Sequence, residues 1–276
     1  MTRKLSELLV VSDVDGTLLQ AGYGIPKENI DTIERFAELG GKFTLATGRG
    51  IASVGKYTDF IHLSAPAILV NGGVIYDYSQ KKVLFEYTLD PGVRVVLREI
   101  MDVFPQLGVE LLIREKVVAL RMNEEIHDHT AVEHIPVLLT DMETVADDWN
   151  KVLFADKTDI IPLLKEYVEK RMKHDERFRK YDFVQSSANY FELLPKGINK
   201  AGGLERLAEY LRIDMENTVA IGDFYNDVEI LNAAGFAAVV EDAPDDIKAN
   251  ADIVIGSCLS GGVAQLLNKL ISECSY

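Results

Sequence analysis

The sequence predicts an α/β fold, a parallel sheet with helices on both faces, interrupted by an inserted α+β domain. Three observations carry this. Short continuous apolar runs, the pattern of strands buried on both faces, alternate with helical stretches towards both ends of the chain. Over residues 84–187 that alternation gives way to strand-like pieces lying close together. At 276 residues the chain is long enough for one large domain or two.

The first strand is Leu8-Leu9-Val10-Val11, which ends in the turn-rich segment Asp13-Val14-Asp15-Gly16-Thr17. A helix follows over Pro26 to Leu39. Pro26 suits a first helical turn, Ile30, Ile33, Phe36, Ala37 and Leu39 form its apolar stripe, and Gly40-Gly41 closes it. A second strand, Lys42 to Ala46, runs into Thr47-Gly48-Arg49. A third, Ala67 to Val70, ends at Asn71-Gly72-Gly73, which reads as a hairpin turn before Val74-Ile75-Tyr76. Strand, helix, strand, helix, strand with right-handed crossovers makes the strands parallel.

Within the insert, strands are expected over Glu110 to Arg114 and Val117 to Met122, and helices over Val93 to Phe104 and Ile160 to Met172. From Phe191 the alternation returns. A helix spans Lys200 to Leu211, and strand Thr218 to Ile221 ends at Gly222-Asp223. Helix Asp227 to Ala234, strands Ala237 to Val240 and Ile253 to Ile255, and helix Gly262 to Ile271 complete the chain. The expected domains are therefore a discontinuous core, 1–83 with 188–276, and an insert, 84–187.

Composition narrows the function. Apolar residues make up 47% and charged residues 26%, ordinary globular usage that excludes disordered and fibrous classes. The net charge is −15, and neither part is basic: the insert has 14 basic against 21 acidic residues, the remainder 15 against 23. Nucleic acid and anionic membranes are thus unsuited partners. Cys258 and Cys274 cannot make a disulfide framework or a four-thiolate metal site, which fits reduced thiols in the cytoplasm. The N-terminus starts like an export signal, but its apolar run, Leu8 to Val11, is too short for one. No apolar stretch approaches membrane-spanning length.

The chemistry-bearing residues follow strand ends or open helices, the edge at which an open α/β sheet binds ligands. Asp13 and Asp15 stand two apart just past a buried strand. One can be a nucleophile or metal ligand while the other shuttles protons; the competing reading is a solvated turn. Thr47, with the backbone N–H groups of Gly48 and Arg49, can hold a phosphate oxygen or simply cap a helix. Lys200 opens a helix, where its charge opposes the dipole unless an anion is bound; Lys196 is the competing lysine. Asp223 and Asp227, with Asn226 between them, form an oxygen-rich group suited to Mg²⁺, or a helix cap that leaves Asp223 unexplained.

These segments resemble the haloacid dehalogenase superfamily of phosphohydrolases. Asp13-Val14-Asp15-Gly16-Thr17-Leu18 is similar to its first motif, Thr47 to its second, Lys200 to its third, and Gly222-Asp223-Phe224-Tyr225-Asn226-Asp227 to its fourth. The insert is similar in size and position to the C2B type of cap. Asn71-Gly72-Gly73, Lys196-Gly197-Ile198-Asn199-Lys200 and Gly261-Gly262-Val263-Ala264 resemble the Cof-type branch. Two departures stand out: Ala201 follows Lys200 where the branch usually has glycine, and Val240-Glu241-Asp242-Ala243 replaces an Asn-Ala pair near the site.

The resemblance implies a Rossmann-like core and a Mg²⁺-dependent phosphatase acting on a small phosphorylated metabolite, a sugar phosphate or nucleotide-like cofactor phosphate. Asp13 would form an aspartyl-phosphate, and Asp15 would serve as general acid and base. Thr47 and Lys200 would hold the phosphoryl oxygens, with Gly48, Arg49, Asn71, Gly72 and Asn226 around phosphate and substrate. The metal would fall to Asp13, Asp15 through its backbone carbonyl, Asp223 and Asp227. A phosphomutase is the alternative, and a non-enzymatic receiver-like signalling module a third reading. The chain would act as a monomer or small homo-oligomer.

Three features stand apart. His127, His129 and His134 could bind zinc but read as a polar loop. The basic run Lys170 to Lys180 reads as a solvated helix face, with a phosphorylated substrate as its other possible partner. Trp149 reads as partial core or a surface for a substrate ring.

Overall fold

The computed structural model describes residues 4–20, 22–133 and 136–274. They divide into two compact units. One comprises the chain up to Arg49, Val54–Phe85 and the chain from Asn199; the other comprises Gly50–Ser53 and Glu86–Ile198. The first part of the chain supplies β1 (Leu9–Ser12), α1 (Lys27–Glu38), β2 (Lys42–Leu45), α2 (Ile51–Gly55), β3 (Ala67–Leu69), β4 (Val74–Asp77) and β5 (Lys82–Glu86). The middle supplies α3 (Val93–Val103), β6 (Gly108–Ile113), β7 (Lys116–Arg121), α4 (Glu124–Glu133), β8 (Val137–Leu139) and β9 (Lys151–Ala155). It continues with α5 (Ile160–His174), α6 (Glu176–Arg179), β10 (Tyr181–Gln185) and β11 (Tyr190–Pro195). The last part adds α7 (Lys200–Leu211), β12 (Thr218–Gly222), α8 (Val228–Ala233), β13 (Phe236–Val240), α9 (Asp245–Lys248), β14 (Ile253–Ile255) and α10 (Gly262–Glu273).

The first unit is an α/β fold built on a five-stranded sheet in the order β14-β13-β12-β1-β2, every pair parallel. Leu9, Val10 and Val11 are buried, as continuous apolar strands in a sheet covered on both faces must be. From β1 the chain proceeds outward to β2 on one side and to β12, β13 and β14 on the other. This reversal between β1 and β12 is the topological switch point at which such sheets bind ligands. The third apolar run differs from the sequence expectation. β3 meets the end of β2 through a single parallel bridge, Ala46 to Ile68, and then heads a separate sheet, β3-β4-β5. β3 and β4 pair antiparallel around the turn at Asn71-Gly72-Gly73.

The second unit is α+β. Its six-stranded sheet runs β10-β11-β9-β6-β7-β8, antiparallel except for β7 with β8. A core including Val96, Leu97, Ile100, Phe154, Leu164 and Phe191 joins α3, α5 and the sheet. The expected boundary at 187/188 is corrected here. β11 pairs with both β9 and β10, so the chain leaves this sheet only after Pro195.

Features read separately from the sequence also find their places in this unit. Trp149 is fully buried, and Arg94 lies 4.6 Å above its ring, so it is core. Arg171 and Arg177 of the basic run bind Glu99 and Asp175 on their own unit. His127 and His129 lie on helix α4, not on a loop, with His129 at 3.2 Å from Glu110; His134 lies outside the described residues. Among the described residues no helix is long and apolar enough to cross a membrane.

Candidate active site

Two loops leave the sheet side by side at the switch point. The backbone N–H of Asp13 donates to the carbonyl of Ile221 at 2.8 Å, which fixes the exit of β1 beside that of β12. Ordinary strand pairing therefore places Asp13 next to Gly222 and Asp223. Asp13, Asp223 and Asp227 each present a carboxylate oxygen, and these lie within 4.8 Å of one another.

Lys200 enters from α7. Its side chain is fully buried, and its ammonium donates to Asp13 Oδ1 and Asp227 Oδ1, both at 2.6 Å. The side chain of Asn199 accepts the Gly202 N–H at 2.8 Å and so caps the helix that carries it. The competing Lys196 instead pairs with Asp182 on the sheet of the second unit.

The start of α7 rests against the β3–β4 turn. Gly72 has φ +94°, and a Cβ there would lie 2.1 Å from the Asn199 carbonyl oxygen. Only glycine permits this approach at this backbone angle. Val70 and Asn71 before it are also left-handed, at φ 53° and 52°. For β-branched Val70 this is a strained conformation. It is held by hydrogen bonds from Val70 N–H to Arg49 C=O at 3.0 Å and from Asn71 N–H to Thr47 C=O at 2.9 Å. The Asn71 amide lies against Gly48, where a Cβ would come within 3.2 Å of its Oδ1.

Thr47 is buried, and its hydroxyl accepts the Arg49 N–H at 3.2 Å. The Arg49 guanidinium is buried and grips Asp15 in a two-pronged pair, with Nε to Oδ2 and Nη2 to Oδ1 both at 2.7 Å. The Asp15 side chain remains about half exposed at 51%. Its carboxylate thus belongs to Arg49 and stands outside the three-carboxylate cluster. Both oxygens of Asp227 are engaged, Oδ1 by Lys200 and Oδ2 by the Asp223 N–H at 3.1 Å. Asn226 is half-buried in the turn between them. The Glu241 carboxylate accepts the Ser257 N–H at 3.0 Å, and Asp242 beside it is exposed.

Sequence reasoning missed Thr17. It is buried, and its hydroxyl donates to Asp223 Oδ1 at 2.9 Å. The available signal was its place in the first motif, where a buried hydroxyl in a turn needs a partner.

The electrostatics are those of an anion-crowded pocket. Burial, reinforced by Asp227, Asp223 and Asp15, raises Asp13 well above the ordinary carboxylate range against the opposing pull of Lys200. Burial and Asp227 push Asp223 up to about 7. Burial pulls Lys200 down, but Asp13 and Asp227 outweigh it and hold its ammonium charged. Four carboxylates face two cations here, Lys200 and Arg49, so full ionisation leaves a deficit of two charges. An all-oxygen donor set with that deficit fits a hard divalent cation.

Residues 10–267 match the family model of the haloacid dehalogenase-like hydrolases, and the chain belongs to that family. It is a phosphoric monoester hydrolase. The chain is 25% identical over 279 residues to 5-amino-6-(5-phospho-D-ribitylamino)uracil phosphatase YitU of Bacillus subtilis, covering 96% of this chain and 97% of that one. It is 27% identical over 267 residues to pyridoxal phosphate phosphatase YbhA of Escherichia coli, covering 94% and 97%. A haloacid dehalogenase-like hydrolase from Bacteroides thetaiotaomicron shares the fold, with a TM-score of 0.84, 23% identity, and coverage of 95% of this chain and 99% of that one.

Proposed function

We propose that the protein is a Mg²⁺-dependent phosphatase that hydrolyses a small phosphorylated metabolite through an aspartyl-phosphate on Asp13. The observation that carries this reading is the meeting of Asp13, Asp223, Asp227 and buried Lys200 at the sheet's switch point. Asp13 Oδ1 is bound to Lys200, so Oδ2 is the oxygen that attacks phosphorus. The P–O bond to the leaving alcohol breaks, and Asp15, once released from Arg49 and protonated, supplies the proton that the departing oxygen takes. Asp15 then removes a proton from the water that attacks phosphorus, and the Asp13–phosphorus bond breaks. Lys200 offsets the charge of the phosphoryl oxygens, and Thr47, with the Gly48 and Arg49 backbone, offers them hydrogen-bonding groups. Gly72 and Asn71 seat the helix and loop that carry these groups, and Asn226 supports the metal-side turn. Asp13, the Asp15 carbonyl and Asp223 would hold Mg²⁺, with Asp227 orienting the turn; the bound ion supplies positive charge against which carboxylate and phosphate can approach.

The second unit suits the part of a C2B-type cap, being α+β and inserted between β5 and α7. The named substrates of the relatives, a ribitylaminouracil phosphate and pyridoxal phosphate, set the class to screen first. The two-cysteine sequence suits the cytoplasm.

The test is a screen of phosphorylated metabolites with Mg²⁺, run on the wild type and on Asp13→Asn in ¹⁸O-labelled water. Wild-type turnover with label in the released phosphate, absent in Asp13→Asn, supports hydrolysis on Asp13. Phosphoryl return to a second hydroxyl with no label in phosphate identifies a mutase. Turnover by Asp13→Asn at the wild-type rate refutes the assignment.

A further inference from the structure

We infer that Thr17 is a positioning residue for the metal site: its hydroxyl holds Asp223 in the orientation in which that carboxylate meets a divalent cation. The inference rests on the proposed metal-dependent reading and adds a residue to it.

Thr17 lies in the loop after β1 and Asp223 in the loop after β12, 206 residues apart in the chain. Thr17 is fully buried, so its hydroxyl cannot turn to water, and it donates to Asp223 Oδ1 at 2.9 Å. The other oxygen of the carboxylate lies close against Gly16. That residue has φ +83°, and a Cβ on it would fall 2.4 Å from Asp223 Oδ2. Asp223 is therefore held by a donor on one oxygen, and the missing Gly16 side chain leaves room for the other. Both come from consecutive residues of one turn. The turn is itself closed by the Gly16 N–H to Leu19 C=O bond at 2.8 Å and the Leu18 N–H to Val14 C=O bond at 3.0 Å.

A carboxylate has two torsions, and a neighbouring donor that fixes them keeps a ligand aimed before the ion arrives. Partners of this kind typically account for about 10–100-fold in metal affinity. Asp227 cannot perform this service on the Asp223 side chain, because its oxygens are spent on Lys200 and on backbone N–H groups.

The experiment is calorimetric titration of Mg²⁺ into the metal-free wild-type protein and into Thr17→Val and Thr17→Ser, with thermal unfolding of each in EDTA. Valine keeps the shape and removes the donor; serine keeps the donor. The expected result is Mg²⁺ binding about 10–100-fold weaker in Thr17→Val and within threefold of wild type in Thr17→Ser. Unchanged or tighter binding by Thr17→Val overturns the inference, and so does a lower unfolding temperature in EDTA with an unaltered Mg²⁺ affinity, which marks a merely structural bond. If Thr17→Val does not fold, Thr17→Ser carries the test, and binding more than tenfold weaker with its donor retained overturns the inference. Failure of the wild type to bind Mg²⁺ refutes the metal-dependent reading itself, a different outcome from wild-type binding that Thr17→Val matches.

Discussion

Replacing Gly72 with alanine tests whether the β3–β4 turn sets the position of Lys200. The added methyl would sit 2.1 Å from the Asn199 oxygen and 2.8 Å from its carbonyl carbon. Ordinary contact is about 3.5 Å, so the turn and the start of α7 must part by about 1 Å. Overpacking of this kind costs about 1–3 kcal/mol. The left-handed backbone adds about 1–2 kcal/mol for a residue with a Cβ. A total of roughly 2–5 kcal/mol, at about 2–4 °C per kcal/mol, lowers the melting temperature by about 5–20 °C. The bonds of Lys200 to Asp13 and Asp227 are both 2.6 Å, so a comparable displacement breaks them. Misplacement by about 1 Å can lower a rate by about 10²-fold. Gly24→Ala is the control. Gly24 has φ +76° with nothing within 4 Å of its added Cβ, so it carries the backbone contribution alone. Circular dichroism melts and kcat on p-nitrophenyl phosphate read both effects. Gly72→Ala melting with Gly24→Ala and retaining wild-type kcat would refute the reasoning.

Further outcomes follow from the same geometry. Lys200→Met leaves buried Asp13 and Asp227 without their cation and should destabilise the metal-free protein by about 3–5 kcal/mol, read in urea melts. Because Asp223 is pushed up to about 7, Mg²⁺ must displace a proton, and affinity measured by calorimetry should fall by up to about tenfold per pH unit below 7. The same shift, from an ordinary 3.8, makes the metal-free fold lose stability as pH rises from about 4 to about 7, a slope that Asp223→Asn should flatten in thermal melts. In the second unit the buried pair Lys151–Glu192, at 3.1 Å, should give a large loss for Lys151→Met alone and a much smaller one for Lys151→Met with Glu192→Leu. Equal losses would show that the pair is not coupled.

The α/β class was legible because β1 and β12 are continuous apolar runs that end abruptly in polar turns. The candidate site was legible as strand-end motifs, since parallel strands put their C-termini on one edge. Pairings between separate loops were not legible. Arg49 read as an anion-binding group because nothing local shows that its fork meets Asp15, 34 residues away. Thr17 was passed over for the same reason. Helix α4 escaped notice because it lacks an apolar stripe: of its residues with described side chains, Ile126 and Thr130 are the buried ones. β11 was assigned to the wrong part of the chain because a strand's own residues do not reveal which neighbours will pair with it. Tyr190–Pro195 joins β9 and β10 through backbone pairing that its own side-chain pattern does not announce.

In the parallel sheet β1 (Leu9–Ser12) is made long before its neighbour β12 (Thr218–Gly222). At about 5–20 residues per second, synthesis of the 206 residues between Thr17 and Asp223 takes roughly 10–40 s. Throughout that interval one side of β1 has no partner, and for most of it Asp13 has no Lys200. Ribosome-bound chains halted before β12 should therefore retain an open, aggregation-prone sheet edge.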